Sequence, residues 1–348
     1  MLVIMSHTRT PLFNHHKDSG AKIVDFAGWE MPIQYSSILS EHKAVRDKVG
    51  IFDVSHMGQI FVKGPETVDF LSYVTTWDMR RQKSGDCRYC HILDRNGFIL
   101  DDTIVYTISQ DNFLLIPNAS KVEDIYNWLL ENSTNFDISI EDLSSDYFCL
   151  ALQGPEAPRL LGQHLNTTVG SFQLVTLGKI IVSGTGYTGE KGCEIIGPLN
   201  DVVNHWEALV DMGATPIGLG ARDTLRLEKG YLLSGQDFSG KQTTLETGYS
   251  WVIDWNHDFI GKNALLELKN RDYPKLRGIL IEDRGIIRPG NSVFYKGEKV
   301  SSLTSGSLSP TLRKGIGMAY LNLDIGDVVS VEVRGNHLNG RVVRIPFL

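Results

Sequence analysis

The chain has 348 residues, 42% apolar, 22% charged and 9% aromatic, with a formal net charge of −7. Normal apolar content and modest charge exclude disorder over most of the length. The acidic balance argues against a sequence-independent nucleic-acid binder. Four cysteines are too few for a disulfide scaffold. No apolar run approaches the roughly 18 residues of a membrane span. The opening residues, MLVIMSHTRT, are too short for a signal-peptide core. The expected home is therefore the reducing cytoplasm, with no membrane and no nucleic acid as partner.

In chain order, residues 58–71, GQIFVKGPETVDFL, read as strand, Gly-Pro-Glu, then helix. Residues 148–161, FCLALQGPEAPRLL, read the same way. Proline is tolerated in a first helical turn, and glutamate suits the positive end of the helix dipole. After the first helix come two strand-like segments, CRYCHILD and ILDDTIVYTI, then FLLIPN and the helix KVEDIYNWLLEN. After the second come KIIVSGTGY and GCEIIGP, then the helix NDVVNHWEALVDM. Each half is a strand–helix–strands–helix unit of ferredoxin-like type, and the echo points to an internal duplication. A further helix, LGARDTLRLEK (219–229), is stopped by Gly230. Leu219, Leu225 and Leu227 are its expected apolar anchors, with Arg222 and Arg226 four apart on one face. KNRDYPK (269–275) is the best linker. From there on, short alternating segments split by glycine turns predict an antiparallel barrel or sandwich.

Three motifs mislead. Cys87-Arg-Tyr-Cys90-His91 fits the haem-attachment pattern, but reads as a strand and lacks an export context. As half a zinc site it lacks a partner pair. Gly184-Thr-Gly186-Tyr-Thr-Gly189 fits G-x-G-x-x-G, but a dinucleotide site needs a helix directly after it. EKGCEIIGP follows instead, so the expectation is a glycine-rich hairpin whose backbone comes close to something. Asp53, Ser55 and His56 invite a hydrolase reading without a G-x-S-x-G elbow or triad geometry. The expectation is polar residues satisfying one another at a strand entrance.

Asp101-Asp102 follows the turn DRNG and opens a strand. Strand neighbours point to opposite faces, so Asp102 shares a face with Ile104 and Tyr106 while Asp101 stays in the turn or solvent. A carboxylate on such an apolar face is costly unless paired or ligated, which makes Asp102 a candidate for chemistry. Glu190, Glu194, Arg222 and Arg226 supply further charges. They read either as structural ion pairs or as a carboxylate accepting two hydrogen bonds from a heterocycle's N–H and NH2 edge.

These segments together resemble the T-protein, or aminomethyltransferase, family of the glycine cleavage system. The resemblance runs almost end to end: TPLFNHH, VDFAGWEMPIQY (24–35), EHKAVRDKVGIFDVSHMG (41–58), ILDDTIVY (99–106), TGYTGEKGCEI (185–195), GLGARDTLRLEKG (218–230), DFIGK (258–262) and SGSLSPTL (305–312). It implies an α+β fold of three domains in a cloverleaf around a central folate funnel. Residues 1–270 form the folate-binding region, in halves 53–142 and 143–270, with 1–52 packing on the second. Residues 275–348 form a C-terminal β-barrel or jelly-roll-like domain. The implied reaction moves a methylene carbon from the aminomethyl-lipoyl arm of a transient partner, H-protein, to tetrahydrofolate, with no metal, NAD or haem. The family's catalytic aspartate falls on Asp102. Its folate-contacting positions fall on Tyr89, Asn118, Tyr187, Glu194 and Arg222. Two departures stand out: Ser234 sits where members often have tyrosine, and the chain ends at PFL without the tyrosine pair often found there. A folate-dependent demethylase of the same fold is the alternative. The iron–sulfur assembly relatives carry K-G-C-Y-x-G-Q-E, whereas this chain has Lys229-Gly-Tyr-Leu-Leu-Ser-Gly-Gln-Asp237.

Overall fold

The computed structural model describes residues 8–348. The first seven of the opening residues MLVIMSHTRT lie outside the described residues. The fold is α+β, and the chain forms two compact units. The first comprises residues up to 71, 79–89 and 103–222, and the second comprises 72–78, 90–102 and 223–348.

The first unit is built around a six-stranded sheet. Its order is Leu174–Leu177, Ile180–Ser183, Gly192–Pro198, Tyr147–Gln153, Gly50–Asp53 and Thr215–Pro216. All pairings are antiparallel except the last. The helices Ala157–Leu165 and Val202–Asp211 supply Leu160, Leu161, Trp206 and Leu209 to a core that also takes in Leu12, Phe148, Leu150 and Val182. Burial of nearly every residue of Tyr147–Gln153 explains why that strand reads as a continuous apolar run rather than an alternation. A hairpin, Lys22–Phe26 and Trp29–Gln34, turns at Ala27 and Gly28, both at positive φ.

A five-stranded sheet has the order Cys87–Leu93, Ile99–Ser109, Asn112–Leu115, Ile60–Lys63 and Ser139–Asp142. Its first two strands continue along the chain into residues of the second unit. The two strand–Gly-Pro–helix segments adopt the same turn. Gly64 and Gly154 have φ of +135° and +131°, and a Cβ on either would collide with backbone, at Asp137 and Lys48 respectively. In each, the amide three residues on bonds back to the glycine carbonyl, Thr67 to Gly64 and Ala157 to Gly154. Only glycine meets both demands.

In the second unit a seven-stranded antiparallel sheet runs Glu298–Ser302, Ser292–Tyr295, Val328–Val333, Asn336–Val343, Lys275–Ile281, Lys314–Leu321 and Ser305–Ser309. Ile279, Ile281, Val293, Val331 and Val342 form its core. The expected short, glycine-split strands are all present. The helix Leu219–Glu228 begins in the first unit and ends in the second. Leu225 and Leu227 are fully buried, as expected, whereas Leu219 is only half-buried. In the second unit Glu228 accepts from Ser309 Oγ at 2.5 Å, Thr311 N at 3.1 Å and Thr311 Oγ1 at 3.0 Å, which gives SGSLSPTL a structural task. Among the described residues no helix is long and apolar enough to cross a membrane.

Candidate functional site

Three adjacent strands of the six-stranded sheet set the floor of a cleft in the first unit. Ala151 stands opposite Phe52 on one side and Glu194 on the other. Directly opposed residues point to one face. The methyl of Ala151 therefore leaves a gap between an aromatic ring and a carboxylate. Two residues further along, on the same face, Gln153 stands between Gly50 and Gly192. Val54, Tyr187, Thr188 and Arg222 complete the lining with Phe52, Ala151, Gln153 and Glu194.

Glu194 is held from below. Its Oε2 accepts from Tyr106 Oη at 2.9 Å and from Thr185 Oγ1 through a short bond. Thr185 Oγ1 in turn lies 2.6 Å from Ser183 Oγ. Among the described residues both donors to Glu194 use this one oxygen. A carboxylate has room for about four hydrogen bonds, so capacity remains toward the cleft. Burial and the Glu194 charge push the Tyr106 hydroxyl up, so it stays a donor. The same causes raise Cys87 and Cys149, and take Cys193 up to about 12. These buried cysteines are neutral thiols.

Arg222 lies over the Tyr187 ring, 4.4 Å from its centroid. Its helix start is fixed by backbone. The buried carboxylate of Glu41 accepts from Gly218 N at 2.8 Å, Tyr35 N at 2.7 Å and Ser36 N at 2.9 Å. A side chain on Gly218 would overlap the backbone of Ile33. Arg46 ties the far end of the Tyr187 loop through Thr188 O at 2.7 Å and Glu190 Oε1 at 2.9 Å. Glu190 is thus an ion-pair partner outside the cleft lining.

Of the residues picked from sequence, Tyr187, Glu194 and Arg222 meet in this cleft. Tyr89, on Cys87–Leu93, and Asn118, preceding the turn Ala119–Lys121, are half-buried and lie outside its lining. Asp102 belongs to the second unit and is 9% exposed, within the strand Ile99–Ser109. Asp101 corrects the expectation: it is fully buried inside the strand rather than left in a turn or solvent. It accepts from Ser234 Oγ at 3.1 Å, a polar contact that helps offset the cost of its burial. Arg226 does not act beside Arg222. In the second unit it is 1% exposed and donates to Asp237 at 2.8 Å, Ser305 Oγ at 2.8 Å and Tyr231 O at 2.9 Å.

The Asp53-Ser55-His56 group is only partly self-satisfied. Asp53 is bonded to His16 Nε2 at 2.9 Å and Ser55 N at 3.0 Å, and His16 Nδ1 meets Tyr35 Oη at 2.8 Å. Burial works to raise Asp53, but the His16 bond and charge bring it below the usual carboxylate value. Ser55 Oγ is spent on the backbone of Cys149, so it is no nucleophile. His56, 2% exposed, has neither ring nitrogen bonded among the described residues. Burial, with the Arg222 charge nearby, lowers it to about 3, so it is neutral. It sits edge-on to Phe26 and Trp29, with ring centroids at 5.8 and 6.5 Å. The glycine-rich segment behaves as a hairpin, leading into Gly192–Pro198 with no helix. What its backbone approaches is Gln153, which sequence reasoning missed. A glutamine closing an apolar strand, with glycines destined to flank it, was the available signal.

The family description "GCVT N-terminal domain" matches residues 12–257, and "Glycine cleavage T-protein C-terminal barrel domain" matches 275–348. An aminomethyltransferase of Halothermothrix orenii is 42% identical over 356 residues, covering 98% of this chain and 99% of that one. One from Thermotoga petrophila is 42% identical over 353 residues, covering 97% of each. The crystal structure of glycine cleavage system aminomethyltransferase T from Bartonella henselae superposes with a TM-score of 0.94 at 32% identity, over 99% of this chain and 98% of that one. With likeness of this extent in both sequence and fold, the chain belongs to the glycine cleavage T-protein family.

Proposed function

We propose that this protein is the aminomethyltransferase of a glycine cleavage system, with tetrahydrofolate as acceptor substrate and the aminomethyl-lipoyl arm of H-protein as donor. The observation that carries the folate assignment is Glu194. Its carboxylate is fixed at Oε2 by Tyr106 and Thr185 and lies beside the gap above Ala151. A planar acceptor pair suits the N–H and NH2 edge of a reduced pteridine. Tyr187 and Arg222 offer a flat, cationic wall for the same ring. Tyr89 and Asn118 are assigned to other parts of the folate.

In the reaction, N5 and N10 of tetrahydrofolate form bonds to the aminomethyl carbon as its C–S and C–N bonds break. The two protons released from N5 and N10 leave on the thiol and on ammonia. Asp102 is assigned beside these nitrogens, orienting the attacking amine and stabilising positive charge as the carbon transfers. The test is incubation with tetrahydrofolate and aminomethylated H-protein, following ammonia and 5,10-methylenetetrahydrofolate. Equal yields of both are expected. Inactivity with that donor, together with demethylation of a small methylated amine, would replace this reading.

A further inference from the structure

The glycine-rich segment invites a ligand-cradle reading, but the group its backbone wraps is a side chain of the protein itself. Gln153 is 1% exposed and every polar atom of its amide is used. Nε2 donates to Thr185 O at 3.1 Å and Cys193 O at 3.4 Å, and Oε1 accepts from Thr188 Oγ1 at 2.8 Å. A Cβ on Gly186 would overlap Oε1 and Nε2, and a Cβ on Gly192 would stand 2.5 Å from Nε2. One glycine of the segment and the glycine that opens the next strand thus leave the space that one amide occupies. The three hydrogen bonds reach both sides of Tyr187 and the residue before Glu194. Thr185, whose carbonyl Gln153 holds, is also a donor to Glu194.

We propose that Gln153 is a positioning residue for the pteridine site, locking the 184–192 loop so that Tyr187 keeps its place in the cleft lining and Thr185 keeps its bond to Glu194. This rests on the function proposed above. A side chain acting this way governs acceptor binding and leaves donor use alone. Small misplacements of positioning groups carry large kinetic effects.

Gln153→Ala is expected to raise KM for tetrahydrofolate about tenfold while KM for aminomethylated H-protein stays within about twofold. Amide exchange at 185–188 should quicken, with exchange in the helices Ala157–Leu165 and Val202–Asp211 unchanged. Thr188→Val removes one of the three bonds while leaving Gln153 in place, and covers the case in which Gln153→Ala does not fold. It should move the same KM in the same direction by about threefold. Equal rises in both KM values, or loop exchange unaltered in both variants, would overturn the proposal. The exchange readout needs no turnover. A wild-type protein that transfers nothing from H-protein would therefore sink the functional reading without touching the loop result.

Discussion

Glu194 and Asp102 carry the same charge, yet the loss of that charge is expected to show in different measurements. Glu194→Ala removes the acceptor pair from the cleft. Lost charge-assisted bonds of about 1.5–3 kcal/mol correspond to a Kd for tetrahydrofolate weakened at least about tenfold. Asp102→Asn keeps the shape and should leave that Kd within about threefold, while single-turnover methylene transfer falls about tenfold or more. Calorimetry and rapid-quench assays on the two variants separate these outcomes, and a swapped pattern would reassign the roles. Glu194 and Arg222 stood out by their charges and Tyr187 by the resemblance alone, and the structure brings the three into one cleft. Asp101 was misread because its partner, Ser234, lies 133 residues away. His56 was misread for the same kind of reason. The Phe26 and Trp29 rings that enclose it belong to a hairpin whose placement no local pattern reveals.

Elements transmit order to the site through their ends. The helix Ile38–Asp47 is capped by Ser37, whose hydroxyl accepts from Ser40 N at 3.2 Å. One turn in, Glu41 reaches three backbone amides, including that of Gly218 just before the helix that carries Arg222. Glu41→Ala would leave three N–H groups without their acceptor. At about 1–3 kcal/mol each, the expected loss is about 3 kcal/mol or more in urea unfolding, together with weaker tetrahydrofolate binding. A loss below about 1 kcal/mol would show that water replaces the carboxylate. The strands and helices of both halves were readable from apolar runs broken by Gly-Pro. Why Gly218 must be glycine was not, since the reason is the backbone of Ile33.

At the scale of the molecule, two fully buried imidazoles among the described residues link stability to pH. His56 in the first unit and His91 in the second are each lowered by burial from 6.5 to about 3, with Arg222 adding to the effect at His56. In the unfolded chain these groups take up protons below about 6.5, and in the folded chain only below about 3. Their contribution is present above 6.5 and is lost as pH falls through that window. Between pH 7 and pH 5 each should cost about 2 kcal/mol. Asp53, held below its ordinary 3.8, adds its loss only in stronger acid. Denaturant unfolding at pH 7, 6 and 5 checks this, and a flat profile would contradict the buried, neutral state of both rings. The twin turns at Gly64 and Gly154 operate at this scale too. The two segments share one torsion closed to residues with a Cβ and one amide-to-carbonyl closure. Alanine at either glycine would have to push main chain aside, at Asp137 or at Lys48, so each passage from strand to helix hangs on the absence of a single methyl group.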